Sequence, residues 1–244
     1  MPNEVVDSAP IVPWSGNAYR LIPSRFPPVN VYDGLIASDR LDEIVSVENI
    51  TNPRLRSLDR LQRNAADGAN ADPKLQNWNL APFAYGNPDG STFFDEQRPC
   101  LELSLEQQTA LAVSVAKRQS FMEATSEAPI GLDMRMLCTP INGVFWDLRQ
   151  VSRSVAAMDQ LSRYDLGTRM PENANGILYR PIERPTGACV AILTGDVLQR
   201  SQQTVHFRYV WDGSRISELY AFDNQGKRIE AGRLAGHEDV LEAA

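Results

Sequence analysis

Cysteine and histidine are both scarce in this chain. Its 244 residues hold three cysteines, Cys100, Cys138 and Cys189, and two histidines, His206 and His237. No CxxC pair or His/Cys cluster exists, so the ligand spacing of a structural zinc site is missing and no metal is expected. Three widely separated cysteines do not make a disulfide framework, which points to a reducing cytoplasm. A basic excess is also absent: 24 Lys and Arg against 31 Asp and Glu leave a net charge of −7. Direct nucleic-acid binding, which needs a cationic face to neutralise phosphates, is therefore not expected. Arg54, Arg56, Arg60 and Arg63 lie close together but are interrupted by Asp59 and followed by Asp67, the pattern of a solvated helix face. No apolar run approaches the length of a membrane span, and no basic stretch followed by an apolar core marks a secretion signal at the N-terminus.

What remains is an ordinary globular composition, 43 % hydrophobic, in a length that suits one large domain. Residues 1–17 carry Pro2, Pro10, Pro13 and Gly16 with little periodicity and read as an irregular arm from which Trp14 docks. Apolar residues at helical intervals predict one or two short helices within Asn30–Ile50, and the Asn-, Asp-, Gly- and Pro-rich residues 64–90 predict a loop. Ser104-Leu105-Glu106-Gln107 reads as a capping box opening a helix that runs to about Glu123. Strands are predicted at Met134–Leu137, Gly143–Leu148, Gly176–Tyr179, Ala188–Leu193, Val205–Trp211 and Ile216–Phe222, with a helix at Val151–Leu161. Asp212-Gly213 and Asn224–Gly226 are turn signals. Helices early and strands late predict a single α+β domain over residues 18–222, with 223–244 as a C-terminal extension.

The stretch Tyr19-Arg20-Leu21-Ile22-Pro23-Ser24-Arg25-Phe26-Pro27-Pro28 sets two arginines beside rigid X-Pro steps, which hold the preceding residues extended. Arg20 and Arg25 are candidate anion-binding residues, because guanidinium grips phosphate or carboxylate with two parallel hydrogen bonds. His206 reads as a near-surface strand residue and Cys189 as an inert buried thiol. Ser91 reads as a turn residue, and Phe145, Trp146 and Trp211 as core aromatics. Asp133 and Arg135 alternate with apolar neighbours, the pattern of a solvent-facing strand side.

Several segments together resemble the RES family, named for its Arg, Glu and Ser. They are Tyr19–Pro28, Glu48–Leu55, Ala81-Pro82-Phe83 with Asn87–Ser91, Phe121–Thr125, Leu132–Arg135, Asn175–Tyr179, Gly187–Ala191 and Phe207–Gly213, in the family's order. The resemblance implies a fold related to ADP-ribosyltransferases and a bacterial, NAD-consuming toxin paired with an Xre-type antitoxin. In active members an Arg and a Tyr hold NAD, a Glu on the main helix serves the ribosyl chemistry, and a Ser lies on a late strand. Cleaving the nicotinamide–ribose bond builds positive charge on the ribose, which a carboxylate stabilises.

Arg20 occupies the family's first Arg position. Relatives then have a Tyr at a strand end and the Glu eleven residues later; here those positions are Glu102 and Val113. A glycine-flanked Arg that members carry falls near Thr92, and the Ser position is Pro181. Valine moves no proton and carries no charge, and losses of this kind at one site leave little turnover. The resulting expectation is a divergent RES-domain protein without effective catalysis, acting by binding a nucleotide or a protein partner. Partners in view are NAD, an Xre-type antitoxin and a RES relative; no cofactor is required. The alternatives are an active NAD glycohydrolase or phosphorylase toxin using Arg20 and Glu102, and a structural subunit of a larger assembly.

Overall fold

The computed structural model describes Val6 and residues 8–24, 82–83, 87–222, 226–238, 240 and 241. The helices expected within 30–50, most of the loop expected over 64–90, and Arg25 lie outside the described residues. Elements follow in the order β1 (Ile11–Pro23), β2 (Leu101–Ser104), α1 (Gln107–Glu123), β3 (Ile130–Asp147), α2 (Ser152–Ala156), α3 (Gln160–Thr168), β4 (Gly176–Tyr179), β5 (Cys189–Ile192), β6 (Gln202–Trp211), β7 (Ile216–Ala221) and β8 (Arg228–Glu230), with short 3-10 turns after β3, β5 and β8. This is an α+β domain built on one large sheet.

The strand order is β1-β2-β5-β4-β3-β6-β7-β8, and β1 also pairs with β3. The first five strands therefore close on themselves, and β6, β7 and β8 extend from the N-terminal half of β3. The long β3 makes this possible. One edge pairs with β1 from Met134 to Trp146, while the other meets β6 over Ile130–Cys138 and β4 at Trp146 and Asp147.

Strand alternation sorts side chains onto two faces. On the inner face, Ala18, Leu101, Leu103, Ile141, Phe145, Leu178, Val190 and Ile192 pack into one buried cluster. On the other face, Met134, Met136, Phe207, Tyr209 and Trp211 pack under α1 through Ala110, Leu111, Ala112, Val115 and Met122. A third cluster joins Phe93, Phe94, Trp146, Ile177, Tyr179, Cys189 and Ala191 beside it, with Val113 packed against them.

The start of α1 is fixed differently from the expected capping box. Ser104 ends β2, paired with Cys189, and its hydroxyl lies 3.3 Å from the Cys189 thiol. Glu106 precedes the helix instead: its carboxylate accepts from Thr109 Oγ1 at 2.6 Å and from the Ala188 backbone N–H at 3.0 Å. Strand pairing to β5 outweighs the local capping signal and ties the helix entrance to the sheet.

Both expected domain limits move. Residues 11–17 are not an irregular arm, because they pair residue for residue with Trp146–Pro140. Among the described residues β1 meets β2 only at Tyr19, so one edge of β1 carries no strand partner around Pro13, the setting in which a strand proline is tolerated. Residues beyond 222 are not an appendage either. Ile229 on β8, Leu234 and Val240 are buried in the cluster under α1. Gln108 of α1 donates to the carbonyls of Leu234 and Glu238 and accepts from the N–H of Val240. A buried amide satisfied on both its oxygen and its nitrogen holds this segment in register. Met134–Leu137 and Gly143–Leu148, expected as two strands, are one, because β1 continues opposite the intervening Cys138–Asn142.

Candidate functional site

Four positions singled out from the sequence converge at one spot on the α1 side of the sheet: Thr92, Glu102, Val113 and the end of β4 before Pro181. β2 carries Glu102 outward, on the same face as Ser104. The loop before β2 carries Thr92, and β4 ends in Tyr179. The backbone N–H of Thr92 and the hydroxyl of Tyr179 each donate to Glu102 Oε1 at 3.1 Å. The Thr92 hydroxyl lies 3.3 Å from that of Tyr179. Val113 packs against the apolar wall that includes Tyr179, and Pro181 is buried just beyond β4.

A fifth residue completes the group. Lys117 stands one helical turn after Val113 on α1, so both project from the same face. Its Nζ donates to Glu102 Oε2 at 2.7 Å. Both carboxylate oxygens are thus engaged, and the Glu102 side chain is only 15 % exposed, against 60 % for Lys117. The sequence reading missed Lys117, although its i, i+4 relation to Val113 was available as a signal.

The electrostatics follow from this packing. Burial pushes the Glu102 carboxyl up, but the charge and hydrogen bond of Lys117, with the bonds from Thr92, outweigh it and hold the group down at about 2. The Glu102 charge in turn raises Lys117 against the opposing effect of burial. Burial first, and then the Glu102 charge, drive the Tyr179 phenol well above its ordinary range. Burial and the same charge push the Cys100 thiol up to about 12. Burial also takes the Cys189 thiol to about 12, so neither is a thiolate near neutral pH. The group is an ionised carboxylate closed by an internal cation, beside an apolar helix face.

Arg20 is not part of it. On β1, Tyr19 pairs with Ser104, which puts Tyr19 on the Glu102 face and Arg20 on the opposite one. Packing agrees: Tyr19 and Leu21 lie against the cluster under α1, and Ala18 lies in the inner one. Arg20 and Glu102 therefore leave their strands on opposite faces of the sheet. The Arg20 Nε is enclosed and has no hydrogen-bond partner among the described residues, and burial lowers the group to about 10.

The other readings are placed as follows. Cys189, Phe145, Trp146 and Trp211 are buried. Ser91 closes a turn, its hydroxyl bonded both ways with the backbone of Phe94. His206 is half-buried on β6, its ring nitrogens 3.2 Å from the Ser24 hydroxyl and 2.6 Å from Gln203. Asp133 pairs with Arg208 at a partly exposed position. Among the described residues, no group of three His, Cys, Asp or Glu is placed to hold a metal, and no helix is long and apolar enough to cross a membrane.

The RES domain family model matches residues 70–212, more than half of the chain. The chain is 54 % identical over 223 residues to "Uncharacterized protein y4oC" of Sinorhizobium fredii, covering 91 % of this chain and 95 % of that protein. Among solved structures, a chain of the M. tuberculosis MbcT–MbcA toxin–antitoxin complex superposes with a TM-score of 0.43 at 12 % identity, over 83 % of this chain and 91 % of that one. The protein belongs to the RES-domain family.

Proposed function

We propose that this RES-domain protein does not turn over NAD and acts by binding, with a nucleotide or a protein partner as its target. The observation that carries this reading is the state of Glu102. Its two oxygens are taken by Lys117, Thr92 and Tyr179, and the helix position that would offer a second carboxylate is Val113. A carboxylate stabilises a developing ribosyl cation only if its charge is directed there and is not already neutralised. Lys117 supplies a resident cation, so the field of Glu102 at any ligand is largely cancelled. Pro181 offers no hydroxyl, and Arg20 projects from the other face of β1.

The active-toxin reading keeps one supporting fact: Glu102 is ionised throughout the neutral range. One assay separates the two. Purified protein is incubated with NAD, with and without phosphate, and nicotinamide release is followed beside Glu102→Gln. No release from either protein supports the binding reading, and release abolished by Glu102→Gln overturns it. A helical antitoxin-type protein, or a RES relative, is the partner class the family suggests, and co-purification from the native source tests it.

A further inference from the structure

The turn that delivers Thr92 to Glu102 is gripped by α3. Gln160 and Tyr164 stand one helical turn apart on that helix, so their side chains leave the same face. Gln160 Nε2 donates to the Ser91 carbonyl at 2.8 Å, and the Tyr164 hydroxyl donates to the Asp89 carbonyl at 3.3 Å. The direction of the Gln160 amide is fixed: its Oε1 accepts from Arg163 Nη2 at 2.9 Å, which leaves the nitrogen to face a carbonyl.

The grip continues past Thr92. The last turn of α3 lies against Phe93: a Cβ on Gly167 would strike the Phe93 carbonyl, and Arg98 Nη1 donates to the Gly167 carbonyl at 3.1 Å. Phe93 is fully buried and sets its ring edge-on to that of Tyr179, with centroids 5.0 Å apart. Within the turn, the Ser91 N–H donates to the Phe94 carbonyl at 2.7 Å. Thr92 therefore sits between two anchored neighbours, and its N–H reaches Glu102 Oε1 at 3.1 Å. One carboxylate oxygen meets a donor on a held backbone, while the other meets Lys117 on a flexible four-carbon stem.

We propose that Gln160 and Tyr164 are positioning residues for the Glu102 group, acting through the Asp89–Thr92 backbone to set the carboxylate against Lys117 and Tyr179. This rests on reading the Glu102 group as the functional site, and it names the helix that determines the group's geometry. Both residues act at one remove, since their hydrogen bonds to the turn end on backbone carbonyls.

The Thr92 amide proton tests this in proton–nitrogen correlation spectra of the full chain. An N–H that donates to a carboxylate resonates downfield, and Glu102→Gln supplies the reference position for a neutral acceptor. Gln160→Glu keeps the size of the side chain and its partner Arg163 but removes the donor to Ser91. It is expected to move the Thr92 resonance upfield, toward the Glu102→Gln position. It should also speed exchange of that proton about tenfold or more, the loss of a hydrogen bond to a charged group. Tyr164→Phe should give a smaller movement in the same direction. Leu161→Ala, at a 77 % exposed position of α3, should leave the resonance in place. A role confined to stability would lower the unfolding midpoint and leave the native Thr92 signal unmoved; that result, or an equal movement in Leu161→Ala, would overturn the proposal. Should Gln160→Glu fail to fold, Tyr164→Phe, which loses a single hydroxyl, decides alone. The signal is read without NAD, so this proposal stands or falls separately from the nicotinamide assay.

Discussion

Lys117 Nζ lies 2.7 Å from Glu102 Oε2, a helix cation closing on a strand carboxylate. Breaking a pair of this kind from the cation's side leaves a largely buried charge, whereas removing both members does not. Lys117→Met is therefore expected to destabilise the fold by roughly 1 kcal/mol, the lower end of the range for an unsatisfied buried group because Lys117 is mostly exposed. Lys117→Met with Glu102→Gln should recover most of that loss. Urea unfolding of the two single variants and the double variant measures the coupling.

The same pair sets an acid response. Glu102 titrates at about 2 in the fold, against ~4.3 in an unfolded chain. A carboxyl lowered by folding contributes stability that is fully present above its unfolded value and is lost as pH falls through its folded one. Between those limits, Glu102→Gln should lose less stability on acidification than the wild type. Denaturant midpoints taken across this window read the difference, and parallel curves would contradict the assignment.

Removing Arg20 is expected to have the opposite sign. Its guanidinium is desolvated, and among the described residues its Nε has no hydrogen-bond partner, so the folded protein bears a penalty that a neutral isostere lacks. Arg20→Met should stabilise the ligand-free protein by roughly 1 kcal/mol, in the range of substitutions that relieve a functional site. Thermal unfolding of the two proteins checks it: a higher Tm for Arg20→Met is expected, and an equal or lower one would contradict it.

Gly176 begins β4 where a Cβ would meet the backbone carbonyl of Ala191 on β5. Backbone cannot retreat as a flexible side chain does, so Gly176→Ala should separate the two strands that carry Tyr179 and Cys189. A loss of about 3 kcal/mol or more is expected. Chemical denaturation reports it, and a near-neutral result would contradict the packing.

Some of this was legible in the sequence for physical reasons. β4 to β7 announce themselves by apolar runs bounded by Gly and Asp turns, and Gly213 does take the positive φ its turn requires. β1 was hidden because Pro13 and Gly16 look like loop residues; only its pairing with β3 makes them strand. Ser104 carried a helix-start pattern that the β5 ladder overrode. Glu102, Val113 and Pro181 were singled out from their flanking motifs. That Lys117 neutralises Glu102, and that Arg20 faces away, depend on strand register and helix packing, which no local pattern encodes.

The most direct test of the account is nicotinamide release from NAD by the purified wild-type protein, followed with a discontinuous chromatographic assay over many hours beside Glu102→Gln. Indistinguishable traces at the uncatalysed rate are predicted. Release by the wild type that disappears in Glu102→Gln would show that the carboxylate beside Lys117 is catalytic after all.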